Sequence, residues 1–296
     1  MTQLNRIPVV FNQEEHYYTD IRNGNRLSGI TSTLIHRLFP DKYAGVPQYI
    51  MEQAAKHGTM IHEELELAES IGITPASIEG QNYLKLKEKY GLKYLTSEHT
   101  VSDMEHYATN IDVVYDVEEN VVDLADYKTT SKLDKESVSW QLSICSYFLR
   151  KNNPHIQVRN LYAIWLRGEI AELVELPQHT DEEVQALIEA DLKGEPYEYH
   201  SILPDYISDN EMSLYSLGRR IKQLQEEYDT IKQEVFNQMQ QHGDKSFDTG
   251  NVLITYVAPK PRTTFNLNLF KEKCSKLYEK YITTAETIPS LNITLR

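Results

Sequence analysis

At 296 residues, 40% hydrophobic and 25% charged, the chain can bury one sizeable core, or one domain with an appendage. No apolar run nears the ~20 residues of a membrane helix, the N-terminus has no secretory h-region, and two cysteines, Cys145 and Cys274, exclude an all-cysteine iron–sulfur site; a protein of a reducing cytoplasm is expected. Of the net charge of −14, residues 1–210 carry −16, because residues 211–296 carry 12 basic against 10 acidic side chains, a net of +2; the acidity opposes loose binding of nucleic acid unless bound cations restore positive potential.

Residues 8–20 and 26–30 read as tyrosine-bearing extended segments, with a turn at Asn23-Gly24-Asn25. Thr31 or Ser32 caps a helix that stops before Pro40. A longer helix is expected from Tyr49 to Ser70, with Ile50, Ala54, Met60, Ile61, Leu65 and Ala68 as a loose apolar stripe. Another covers 78–90 and ends at Gly91. Residues 94–104 read as a strand, and a hairpin follows. After the polar break Ser131-Lys132-Leu133-Asp134, Val138, Leu142, Cys145 and Leu149 mark the buried stripe of a helix over 136–151. An apolar strand over 158–166 turns at Arg167-Gly168-Glu169 into Ile170–Leu176, and Thr180-Asp181-Glu182-Glu183 is a capping box opening a further helix.

This order predicts an α/β (α+β) fold, a mixed central β-sheet flanked by helices, over residues 1–205. Residues 206–296 form a C-terminal helical/β appendage. Within it Leu214, Leu217, Ile221, Leu224, Tyr228, Ile231 and Val235 alternate spacings of three and four, as in a long amphipathic or coiled-coil helix ending near Gly243. A small hairpin (Ser246–Asp248 with Val252–Val257), a helix from Leu267 to Tyr281 and a strand-like Ile293-Thr294-Leu295 complete the chain.

The hairpin carries the chemistry. Asn110-Ile111-Asp112 and Asp126-Tyr127-Lys128 flank β-branched runs separated by Glu118-Glu119-Asn120. A three-residue loop there sets Val117 opposite Val121 and therefore Asp112 opposite Asp126, with Lys128 on the same face as Asp126. Like charges so placed repel by up to ~1 kcal/mol. A divalent cation turns that repulsion into ligation, because Mg²⁺ and Mn²⁺ favour hard oxygen donors. Lys128 then offers positive charge to a phosphate and helps orient an attacking water.

Four motifs in order, Gly58-Thr59-Met60-Ile61-His62, Asn110-Ile111-Asp112, Asp126-Tyr127-Lys128-Thr129 and Gln141-Leu142, resemble the RecB-like branch of the PD-(D/E)XK nuclease superfamily. Within it the chain is most similar to phage and prophage recombination exonucleases. The resemblance covers residues 8–205. It implies a restriction-endonuclease-like core and metal-dependent hydrolysis of DNA, with Asp112, Asp126, Lys128 and Gln141 catalytic. One or two Mg²⁺ or Mn²⁺ ions would be held by His62, Asp112, Asp126 and the Tyr127 carbonyl. Gln141 would orient substrate or a catalytic side chain, and Glu98 on the first strand is a further acidic candidate.

Two departures stand out. Asn110 occupies a position where the family often has glycine, and asparagine tolerates left-handed geometry. Cys145 stands where the family often has tyrosine, with Tyr147 two residues beyond. The implied partners are DNA, a single-strand annealing protein and further copies of the chain. Arg219, Arg220, Lys260 and Arg262 are candidates for gripping phosphate or assembling an oligomer. A structure-specific endonuclease and a catalytically silent binding protein are the competing readings.

Overall fold

The computed structural model describes residues 2–12, 17–40, 42–43, 45–197, 205–259, 261 and 263–283, without the side chains of 205, 206, 208 and 209. The chain divides into two compact units, Met1–Ser216 and Leu217–Arg296.

The first unit is built on one mixed sheet. Strands β1 (Val9–Asn12), β2 (Tyr17–Asp20) and β3 (Arg26–Gly29) form an antiparallel meander. β3 then joins the start of β5 (Tyr107–Glu118) in parallel. β4 (Tyr94–Ser102) lies antiparallel along β5, and β6 (Val121–Lys128), β7 (Gln157–Arg167) and β8 (Ile170–Leu176) continue the sheet. β6 and β7 run parallel, as expected for two strands joined by a helix, α4 (Lys135–Asn152). A π-helical turn (Thr31–Ile35) running into α1 (His36–Leu38) follows β3, where an ordinary helix was expected.

Helices cover both faces. α4 and α5 (Asp181–Lys193) close one core around Val114, Leu124, Leu161 and Trp165; α2 (Gln48–Ile71) and α3 (Ile78–Tyr90) close a second around Val113, Tyr115, Ala125 and Ile164. All four residues of the expected α4 stripe are buried. The Thr180–Glu183 capping box forms on α5, and Gly72, Gly91 and Gly194 end their helices in the left-handed conformation. The α2 stripe differs from expectation, because Ile50 and Met60 are exposed and only Ile61 and Leu65 are buried. Only the turn that bears Ile61 and Leu65 meets the core. Glu64, on that same stretch, accepts hydrogen bonds from the backbone of Ala76 and Ser77 and so pins the loop to α3. The loop is tight there: a Cβ on Gly80 would come within 2.4 Å of Pro75 Cβ.

The β5–β6 hairpin keeps the expected register by a different route. Its loop has two residues, Glu119 and Asn120, rather than three, with Glu118 opposite Val121. Only Asn120 takes a positive φ (+64°), as the left-handed residue that follows a type I turn beside a bulge does. An irregularity at Val117 restores the count, so Asp116 faces Val122 and Val113 faces Ala125.

In the second unit, the remainder of α6 (Asp205–His242) is followed by a hairpin of β9 (Ser246–Asp248) and β10 (Leu253–Thr255). The expected final helix is two, α7 (Leu267–Lys273) and α8 (Ser275–Tyr281), interrupted at Cys274, whose φ of −130° is not helical. Residues 293–295, Lys260 and Arg262 lie outside the described residues. No helix among the described residues is long and apolar enough to cross a membrane.

Candidate metal centre

Past Val113 and Ala125 the strands β5 and β6 part. The β5–β6 ladder ends there, whereas β4 stays paired with β5 to Ala108 and β7 with β6 to Lys128. Carried one position further, the register sets Asp112 opposite Asp126. The backbone N–H of Tyr127, released from the ladder, donates to Asp112 Oδ2 at 2.8 Å. A buried amide is thereby satisfied and the carboxylate fixed.

His62 reaches the same point from α2. Its Nε2 lies 3.0 Å from the Tyr127 carbonyl oxygen and its Nδ1 lies 3.5 Å from Asp112 Oδ2. Both ring nitrogens therefore face acceptors. The ring is satisfied either as an imidazolium or as a neutral imidazole with a cation shared between Nδ1 and Asp112. The Tyr127 carbonyl keeps a second lone pair beyond the one facing His62.

Glu98 completes a cluster with His62 and Asp112: one donor atom from each lies within 4.8 Å of the others. Its backbone is unusual, with φ at +47° inside a strand. Such a conformation costs on the order of 1–3 kcal/mol in a residue with a Cβ and gathers at functional sites. Asn110 Nδ2 donates to Glu98 Oε2 at 3.1 Å, and Asn110 Oδ1 accepts from Thr100 at 2.9 Å. The left-handed residue at this place is thus Glu98, whereas Asn110 is an ordinary strand residue whose amide orients the acid. The reading of Asn110 as a glycine substitute is corrected accordingly.

The electrostatics are those of a place short of positive charge. Glu98 is an exposed residue, yet loss of solvation at its carboxyl, then the charge of Asp112, push it up to about 7. Burial and the charge of Asp126 raise Asp112 as well, against the opposing pull of His62 and Lys128. Two carboxylates that resist ionising together, beside an imidazole nitrogen, form the mixed oxygen and nitrogen donor set that a divalent cation fits.

Asp126 stands next to this cluster rather than within it. Gln141 Nε2, from α4, donates to Asp126 Oδ1 at 2.7 Å, and Lys128 Nζ donates to Gln141 Oε1 at 3.4 Å. Asp126 Oδ2 is buried, and its neighbour is the Lys128 ammonium, in an ion pair. Desolvation alone would lower the Lys128 pKa, but the charges of Asp126 and Asp112 outweigh it and raise it. Lys128 is therefore a fixed cation. Cys145, one turn beyond Gln141, is buried, and its thiol is pushed up by burial and by the same two aspartates.

Behind the site the Tyr127 ring is anchored in the second core. Its hydroxyl donates to Tyr83 at 3.2 Å, and the Tyr83 and Tyr115 hydroxyls lie 2.9 Å apart. Glu69 receives the Tyr83 hydroxyl and the Lys87 ammonium. Sequence reading noticed many tyrosines near strands but had no signal for this network, because its members come from α2, α3, β5 and β6.

No family model and no curated protein matches the sequence. Among solved structures, one described as "Crystal structure of SSO0001" is similar at 13% identity, over 56% of this chain and 74% of that one, with a TM-score of 0.31. A likeness that loose leaves the site to be read from its own chemistry.

Proposed function

We propose that the protein is a metal-dependent deoxyribonuclease of the PD-(D/E)XK type, acting as an exonuclease on linear DNA ends in phage-type recombination or repair. The observation that carries the reading is the gathering of His62 Nδ1, Asp112 and Glu98 beside a fixed ammonium, Lys128. The ordered motifs described above supply the family and the polymer. DNA is the proposed substrate, and a single-strand annealing protein the proposed collaborator.

His62, Asp112 and Glu98 would hold Mg²⁺ or Mn²⁺, with the second lone pair of the Tyr127 carbonyl and Asp126 Oδ2 as further oxygen donors. When bound, such an ion supplies concentrated positive charge for a phosphoryl oxygen and makes water a stronger acid. The imidazole tilts the preference toward Mn²⁺. Asp112 is positioned by the Tyr127 N–H, so that its free lone pairs point away from the hairpin. Gln141 holds Asp126 and Lys128 at a fixed separation. Lys128 then faces the negative charge that builds on the phosphate as the phosphorus–oxygen bond breaks.

The test is a time course on end-labelled linear duplex, with and without Mn²⁺, for the native protein and Lys128→Ala. Cleavage is expected only with the metal and only in the native protein, with circular dichroism and metal binding preserved in the variant. Full activity of Lys128→Ala would remove the assignment. A covalently closed circle, degraded as fast as the linear form, would replace the exonuclease by an endonuclease.

A further inference from the structure

We infer that α6 carries a homodimer interface, a parallel two-stranded coiled coil over Leu217–Val235, which pairs this chain with a second copy. The inference is independent of the proposed nuclease activity.

Six residues define the stripe: Leu217, Ile221, Leu224, Tyr228, Ile231 and Val235, separated by 4, 3, 4, 3 and 4 residues. That alternation of four and three is the heptad pattern that turns one narrow seam toward a partner helix, whereas a helix lying on a globular core carries a wider stripe. The seam extends ~28 Å at ~1.5 Å per residue. Among the described residues most of it is uncovered: Leu217, Ile221, Leu224, Tyr228 and Ile231 are 55%, 68%, 52%, 61% and 61% exposed, and Val235 is half-buried. Exposed apolar side chains scattered singly are ordinary, but five in register along one helix face form the kind of patch that marks a protein interface.

The residues themselves select the occupant. With Leu217 at position d, the a positions are Ile221, Tyr228 and Val235, and the d positions are Leu217, Leu224 and Ile231. β-Branched residues at a with leucine at d favour two parallel strands, and four of the six positions obey that rule. The flanking charges agree. In the parallel alignment Glu227 (g) meets Lys232 (e) of the second copy twice over and Arg220 meets Gln225, while Met239, the position opposite Glu234, is buried in the single chain, so no like charges oppose. The antiparallel alignment that keeps all six apolar residues paired gains Arg220 against Glu234, but sets Glu227 against its own copy at the dyad. A different protein would have to reproduce this whole pattern; a second copy of the chain does so by construction of its sequence.

The full-length protein tests this directly. Sedimentation equilibrium from about 1 to 100 µM, a range that brackets ordinary reversible association, is expected to give a dimer that the double variant Ile221→Asp/Leu224→Asp converts to monomer without loss of the first unit's near-ultraviolet dichroism. Orientation is read in a Cys274→Ser background: Leu224→Cys should crosslink to itself in high yield under mild oxidation, because d faces d only in the parallel form. A monomer throughout, a trimer, a dimer that survives the double variant, or no Leu224→Cys crosslink would each overturn the inference.

Discussion

Two aspartates on opposite arms of the same ribbon meet opposite fates. Asp123, toward the closed end of the β5–β6 hairpin, is buried and fully answered by the protein: the Arg159 guanidinium pairs with both its oxygens, and Asn160 N donates at 3.0 Å. It fills the place where β7 slips register, the irregularity between Val122 and Leu124. Asp112, at the diverging end, has one backbone N–H, one imidazole nitrogen and another carboxylate for neighbours. The difference teaches how a structural acid is told from a candidate ligand. Burial is common to both kinds; what separates them is whether the polypeptide supplies the counter-charge.

Substitutions at the two ends should therefore separate activity from stability. Asp112→Asn should lower cleavage by roughly a hundredfold or more, as loss of a metal-site group does, while the melting temperature without metal stays level or rises. Rates and calorimetry on the same preparation check this, and a variant that loses both together would erase the contrast. Asp123→Ala should do the reverse. Leaving the Asn160 N–H and a half-exposed guanidinium without their acceptor should cost about 1–3 kcal/mol, read by urea unfolding, with cleavage per folded molecule unchanged. Glu98→Gln is the finer probe. Removing one of two crowded charges should add up to ~1 kcal/mol of metal-free stability and weaken Mn²⁺ binding measured by titration calorimetry. Lower metal-free stability in that variant would mean that Glu98 is answered by the protein after all.

A fourth expectation concerns the second core. Burial raises the Tyr83, Tyr115 and Tyr127 hydroxyls far above the ordinary value of 10.0. The unfolded chain therefore sheds these protons first. The stability they contribute is complete below pH 10 and declines as pH rises beyond it. Ultraviolet titration should show most of the 20 tyrosines ionising reversibly and a late fraction appearing only with loss of helical dichroism. A smooth, complete titration of a still-folded protein would contradict the network.

The hairpin was legible in the sequence because alternation and a polar break fix which residues oppose, and Asp112 follows from counting. The mixed sheet and the α4 and α5 helices were legible for the same reason, through period, caps and apolar stripe. Glu98 was visible only as an acid on a strand. Its role depends on a left-handed backbone and on His62, 36 positions earlier, neither of which leaves a local pattern. Asn110 was misjudged because its partner, Glu98, sits on another strand. The stripe on α2 was overextended because periodicity shows which face is apolar and says nothing about how far the sheet beneath it reaches. The break at Cys274 has no proline or glycine to announce it.

The surplus residue at Val117 makes the hairpin a tolerant joint. Because that irregularity absorbs the odd count, the connection at Glu119-Asn120 can be exchanged for another two-residue turn without sliding one arm along the other. Excising Val117 itself would leave Glu118 against Val121 and Asp116 against Val122 as consecutive pairs, so the arms would keep their register and the acid at 112 its face. The loop is thus a natural place to graft a tag or a spectroscopic probe, seven residues along the ribbon from Asp112.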